Sequence, residues 1–237
     1  MSDASPKAVN RLLAALPDAE YQRLIPHLNH VSLPFKQVLH EAGEPLEYVY
    51  FPHRAIVSLL STMADGSMIE VGLVGNDGVV GIPAAFGDNI ATTMAIVQAP
   101  DSGMRMKASV LKSEFVRGGV LQSLLLRYMQ AQYAFVTQSA ACNRLHYLEG
   151  RLARWLLLVY DRIGANELPM THEFLSQMLG VRRAGVTEAA NALQKAGLIR
   201  YTRGKVTILN REDLEAASCE CYEIIKGEYV RLLGTDG

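Results

Sequence analysis

The stretch Thr171-His-Glu-Phe-Leu-Ser-Gln-Met-Leu-Gly-Val-Arg-Arg-Ala-Gly-Val-Thr-Glu-Ala-Ala-Asn-Ala-Leu-Gln-Lys-Ala-Gly-Leu-Ile-Arg-Tyr-Thr-Arg-Gly-Lys-Val-Thr-Ile-Leu209 decides the fold of the C-terminal part of this chain. Phe174, Leu175, Met178 and Leu179 recur at helical spacing behind Thr171, a good N-cap, which predicts a first helix. Gly180 supplies the backbone freedom of a tight interhelical turn. Val181, Val186, Ala189, Ala190 and Leu193 then give a second helix one buried stripe, closed at Gly197.

The other side of that second helix carries Arg183, Thr187 and Asn191, flanked by Ala184 and Glu188, with Arg182 at its start. Two cations at a helix N-terminus oppose the macrodipole, so local stability does not account for them, whereas a polyanion would. Leu198 to Leu209 reads as two strands turning at Arg203-Gly204-Lys205, which completes a winged helix-turn-helix with a basic tip. The segment carries Arg182, Arg183, Lys195, Arg200, Arg203 and Lys205 against Glu173 and Glu188, although the whole chain has a formal charge of −1. A helical hairpin used only for packing would not need these features to coincide.

With 237 residues, 49% hydrophobic and 20% charged, the chain is long enough for two domains with a sizeable core. The polar start Met1-Ser-Asp-Ala-Ser-Pro-Lys7 has no secretory pattern and no apolar run approaches ~20 residues, so the expectation is a cytoplasmic protein without a membrane span. Cys142, Cys219 and Cys221 are too few and too late in the chain for a disulfide framework or a zinc ribbon, and are read as reduced thiols, with no metal and no cofactor expected.

Upstream, residues 6–28 predict one or two short helices built on Leu12, Leu13, Leu16, Leu24 and Leu28. From Val31 to Met106 short β-rich runs follow: Tyr48–Phe51, Ile56–Leu60, Ile69–Val74 and Met94–Val97. Turn signals fall at Ala42–Glu44, Asp65-Gly66, Gly75–Gly78 and Phe86–Asn89. That texture implies a sandwich or barrel-like β domain. After Gly118-Gly119, Val120 to Arg144 runs as one helix, with Leu121, Leu125, Tyr128, Gln132, Phe135, Ser139 and Cys142 alternating by four and three. That seam either packs on the β domain of its own chain or meets a second subunit, and the second is expected, since readers of this type work as dimers on paired half-sites. Tyr147 to Ile163 and Leu214 to Leu233 are the remaining helices, the last one acidic.

The order of parts resembles the Crp/Fnr superfamily of bacterial transcription regulators. The resemblance rests on Lys36-Gln-Val-Leu-His-Glu-Ala-Gly-Glu44 with Tyr48-Val-Tyr50, on Gly78-Val-Val-Gly81, and on Leu179-Gly-Val-Arg-Arg-Ala-Gly-Val186. It implies an α+β chain: N-terminal helices and a cyclic-nucleotide-binding-like β-roll over 1–117, a dimerisation helix over 118–145, and a winged helix-turn-helix with a C-terminal helix over 146–237. Cyclic-nucleotide binders of this family place a glutamate and an arginine on the ribose and the cyclic phosphate. Here Val79 and Thr93 stand in that cassette, so cyclic AMP is not the expected effector. The absence of cysteine before Cys142 argues against an iron–sulfur cluster, and His53 and His146 as lone histidines give no haem signature. Arg183 keeps the place of the family's first base-reading arginine, while Ala184 and Glu188 depart from the pattern, so the half-site should differ from the common one.

The resulting expectation is a non-enzymatic, homodimeric, sequence-specific regulator on an inverted-repeat operator in double-stranded DNA, its effector unidentified. RNA polymerase is a partner class the resemblance admits. Thr171, Arg182, Arg183, Ala184, Thr187, Glu188, Thr202, Arg203 and Lys205 are the expected DNA-contacting residues. The rivals are a cyclic-nucleotide-responsive regulator with a divergent pocket and a small-molecule enzyme in which the helices only assemble the β domain. The latter has no nucleophile elbow, phosphate loop or HExxH motif behind it.

Overall fold

The structure is a computed structural model of the chain and describes residues 9–202 and 204–234. Two short helices, α1 (Arg11–Ala14) and α2 (Asp18–Leu24), are followed by a 3-10 turn (Ile25–His27). Asn10 caps α1 through its side-chain oxygen, while its amide donates to the carbonyls of Pro52 and Gly78, fastening this segment to the β domain.

Seven strands follow: β1 (Asn29–Leu33), β2 (Val38–His40), β3 (Tyr48–Pro52), β4 (Ile56–Thr62), β5 (Met68–Val74), β6 (Met94–Ala99) and β7 (Asp101–Lys107), with α3 (Pro83–Phe86) between β5 and β6. They form two antiparallel sheets, ordered β1-β7-β3 and β2-β6-β4-β5. Leu33 and Tyr50 from the first sheet pack with Val57, Val74, Ala95 and Val97 from the second, which closes the roll over an apolar interior. The expected β texture is borne out. Strands β1, β2 and β7 lacked a clean signal because polar or charged residues such as Asn29, His30, Asp101 and Arg105 interrupt them.

Helix α4 (Ala108–Arg117) leads through Gly118 and Gly119, both at positive φ, into the 26-residue α5 (Val120–Leu145). Glu20 accepts from the backbone N–H groups of Val120 and Leu121, supplying the N-terminal cap that Gly119 cannot. The reader then comprises α6 (Leu148–Ile163), β8 (Glu167–Pro169), α7 (His172–Leu179), α8 (Arg183–Lys195), β9 (Ile199–Thr202), β10 (Lys205–Ile208), α9 (Arg211–Ala217) and α10 (Cys221–Leu233). The last helix, expected to run unbroken from Leu214 to Leu233, is divided: Ser218 is extended and Asn210 caps a separate α9.

The expected seam on α5 lies in the interior of its own chain. Leu121, Leu125, Tyr128, Gln132, Phe135, Ser139 and Cys142 are all buried within the chain itself, where α5 packs on β5, α4 and α10. Most of their surface is already withdrawn from solvent inside one subunit. A parallel stripe, Gln122, Leu126, Met129, Tyr133, Val136 and Ala140, has the same four-and-three spacing and is exposed except at the half-buried Gln122 and Met129, the latter packed against the core. Leu126, Tyr133 and Val136 are 52%, 66% and 41% exposed.

Candidate nucleic-acid interface

Thr171 is the N-cap of α7, its hydroxyl oxygen accepting from Phe174 N at 3.1 Å, and Phe174, Leu175, Met178 and Leu179 are buried behind it. Gly180 turns the chain in the left-handed region at φ 62°, where a side chain would be strained, and a Cβ there would also lie 2.5 Å from Cδ1 of Ile69 on the roll. Helix α8 then buries Val186, Ala189, Ala190 and Leu193, the stripe read from sequence.

On the outward side, Arg182, Arg183, Ala184, Glu188 and Asn191 are exposed. Arg182 stands at the N-cap position without a side-chain cap, so the first amides of α8 remain turned toward solvent alongside two guanidinium groups. Among the described residues, Arg182, Arg183 and Glu188 make no ion pair. Thr187 is more constrained: its hydroxyl donates to Arg183 O at 3.1 Å and sits 3.0 Å from Nδ1 of His172. One hydroxyl hydrogen serves both contacts only if Nδ1–H of His172 donates. Burial and then the nearby charge of Arg183 hold that imidazole below its ordinary pKa, which favours the neutral ring.

The wing has a third strand not legible in the sequence, β8, so the order is β8-β10-β9. Tyr201 stacks against His172 with ring centroids 4.1 Å apart and its hydroxyl donates to Met170 O, which ties the wing to the start of α7. Gln194 accepts from Tyr201 N at 2.7 Å, tying it also to the end of α8. Thr202 is exposed, and Lys205 pairs with Glu167 at 3.0 Å with both side chains about 60% exposed, a contact weak enough for a phosphate to displace. Arg203, expected at the tip, lies outside the described residues. His172, Tyr201 and Glu167 were missed in the sequence because their roles depend on which strands and helices meet.

Between the roll and α5 lies a cavity of about 270 Å³, lined by His40, Leu46, Leu59, Val79, Ile82 and Thr93 among others, with Tyr128, Gln132 and Tyr133 from the helix. Among the described residues no lysine or arginine lines it. Burial pushes His40 down to about 4, leaving the ring neutral. A Cβ on Gly78 would lie 2.5 Å from the Tyr128 hydroxyl, so the Gly78–Gly81 loop, which holds Val79, is clamped directly under α5.

The Crp-like helix-turn-helix domain model matches residues 150–217. The chain's fold is shared by solved structures of Crp/Fnr-family regulators. Its fold is that of FixK2 from Bradyrhizobium japonicum, at a TM-score of 0.70 and 17% identity over 81% of this chain and 98% of the other. It is similarly close to CLP, described as a c-di-GMP responsive global regulator of Xanthomonas campestris, at a TM-score of 0.65 and 16% identity over 82% of this chain and 100% of that one. A CRP-family transcriptional regulator from Thermus thermophilus superimposes at 0.64 with 19% identity, over 79% and 96% of the two chains. No curated protein matches the sequence. At these identities the structural likeness establishes the fold alone, and the matched helix-turn-helix domain model spans α7 and α8. Among the described residues no helix is long and apolar enough to cross a membrane.

Proposed function

We propose that this protein is a homodimeric, sequence-specific DNA-binding transcription regulator that does not respond to cyclic nucleotides. One observation carries the reading: the outward N-terminal half of α8 holds Arg182, Arg183 and Glu188 exposed and, among the described residues, free of intrachain ion pairs, while the opposite face of the same helix is wholly buried. Docked in a major groove, Arg183 would offer a planar fork to guanine and Glu188 an acceptor to cytosine N4. Arg182, Thr202, Lys205 and the exposed Thr171 side of the α7 N-terminus would lie on phosphate, as would Arg203 on the sequence expectation. The outward stripe of α5 is the surface a second subunit would cover, which brings two readers into the two-fold arrangement that an inverted repeat requires. The cavity without cations supports the effector half of the proposal, since an anionic cyclic phosphate would be buried there unpaired.

Selection of the purified protein against a randomised duplex library tests the reading. Enrichment of an inverted repeat whose half-sites are about one helical turn apart is expected. Retention of all sequences alike at physiological salt would refute it.

A further inference from the structure

Three thiols and one imidazole from distant parts of the sequence converge where the central helix meets the reader. Cys142 occupies the last turns of α5, and His146 is its C-cap, with His146 N donating to Cys142 O at 3.1 Å. Cys219 and Cys221 flank the break between α9 and α10. The Sγ atoms of the cysteines and a ring nitrogen of His146 all lie within 4.8 Å of one another. Cys142 Sγ is 3.5 Å from Cys219 Sγ, and Cys221 Sγ is 3.3 Å from His146 Nδ1. Bonds of about 2.3 Å to sulfur and 2.0–2.1 Å to nitrogen separate the ligand atoms of a tetrahedral zinc site by roughly 3.5–3.8 Å. The cluster therefore surrounds a point that one such ion would occupy after small side-chain adjustments.

We propose that Cys142, His146, Cys219 and Cys221 form a zinc site that fastens the end of α5 to the start of α10. The neighbours are those a metal site uses. Nε2 of His146 meets Oε1 of Glu220 at 3.1 Å, the outer carboxylate that fixes a ligating imidazole and leaves Nδ1 turned to the thiols. Gln138 Nε2 donates to Cys221 Sγ at 3.1 Å. Binding displaces three thiol protons, so a divalent ion with three thiolates and a neutral imidazole carries a net charge of −1. Beside the thiols stand the guanidinium groups of Arg151 and Arg154, buried, each with an unpartnered Nε, and neither in an ion pair among the described residues. Their hydrogen bonds go to neutral groups, Arg151 to Asn143 Oδ1 and Leu179 O and Arg154 to Ser139 Oγ, and an anionic metal centre would supply close counter-charge. Buried thiols that served only as small apolar residues would have no use for those arginines. Three soft thiolates with one imidazole select zinc over magnesium or calcium.

The site spans the junction at 145–147 that joins α5 to α6, so the metal would hold the reader's C-terminal helix to the same segment from which the reader departs. Its ligand pattern, two residues four apart and two residues two apart separated by more than seventy positions, gives no recognisable zinc spacing in the sequence.

The test uses the untagged full-length protein, purified reduced and under anaerobic conditions. Mass-spectrometric metal analysis should find one zinc per chain. Cobalt titration of the metal-free protein should produce the intense visible bands of a tetrahedral thiolate site, together with thiolate-to-cobalt charge transfer. Cys219→Ser, at a partly exposed position, should lose stoichiometric metal, and Glu220→Gln, on the surface and not a ligand, should weaken binding by about tenfold. Failure of the wild-type protein to take up zinc or cobalt stoichiometrically would overturn the proposal, as would full retention by Cys219→Ser. A Cys142–Cys219 disulfide that forms readily while no metal binds would overturn it in favour of a thiol pair.

Discussion

Trp155 on α6 donates from Nε1 to Oε1 of Glu70 on β5 at 2.9 Å, so the single tryptophan of the chain sits on the joint between reader and roll. The same carboxyl lies against Ser58, whose hydroxyl is 2.6 Å from Glu70 Oε2 and also contacts Gln98 Oε1, while Gln98 Nε2 reaches Met170 Sδ at 3.9 Å. A hydroxyl has one hydrogen. Both of its contacts are satisfied together when the Glu70 carboxyl carries a proton and donates to Ser58, or when the Gln98 amide turns its nitrogen to Ser58 and the hydroxyl donates to Glu70.

Burial pushes Glu70 from its ordinary 4.5 up to about 7, the hydrogen bonds from Ser58 and Trp155 offsetting part of it. The packed joint thus holds a proton that an opened or unfolded chain releases between those two values. Stability of the joint falls as pH rises through this window and stays low above it, by on the order of 3 kcal/mol if the whole shift is expressed. Glu70→Gln should remove most of that pH dependence and be more stable than wild type above about pH 7. Thermal unfolding followed by Trp155 emission reads this directly, and parallel pH profiles for the two proteins would show that Glu70 is not the titrating group.

Arg183 and Lys205 should separate base reading from backbone holding. Arg183→Ala is expected to cost roughly 1–3 kcal/mol of specific binding and relax preference at one base pair per half-site. Lys205→Ala should weaken all duplexes alike and lower the salt slope by about one, after the smaller gain from releasing Glu167 is allowed for. Binding isotherms on specific and scrambled duplexes over a salt series check both. An Arg183→Ala protein with unchanged site preference would remove that residue from the reading set.

The cavity beneath α5 leads to a third outcome. Cyclic AMP and cyclic GMP should produce no heat of binding at millimolar concentration and no change in DNA affinity, because Val79 and Thr93 provide neither the carboxylate nor the cation and the neutral His40 does not replace them. Saturable micromolar binding with tighter DNA association would reverse this part of the functional reading.

How far the sequence could be read depended on whether the deciding contacts were local. Thr171, Gly180 and the 186/189/190/193 stripe act within a few residues of themselves, and the structure has each in the expected role. The wing's third strand, the Glu70–Trp155 joint and the thiol cluster join segments far apart in the chain, and no spacing rule reports them. Helix α5 is ambiguous for another reason: it carries two heptad stripes at once, and periodicity cannot say which of them its own chain consumes.

That ambiguity yields the last prediction, a contrast between nearby residues. Phe135 is 3% exposed and belongs to the intrachain core, so Phe135→Asp buries an unpaired carboxylate and should destabilise or unfold the subunit itself. Tyr133 is 66% exposed, on the stripe with Leu126, Met129 and Val136, and borders the cavity beneath α5 without belonging to the buried core. Tyr133→Asp should therefore leave the melting temperature of the monomer nearly unchanged while moving the sedimentation equilibrium from dimer toward monomer and weakening operator binding, since each half-site is then met singly. A folded Tyr133→Asp dimer with unimpaired operator affinity would place the subunit contact on another surface. A folded, dissociated Phe135→Asp chain would restore the inward stripe as the seam and require α5 to leave its own roll to form it.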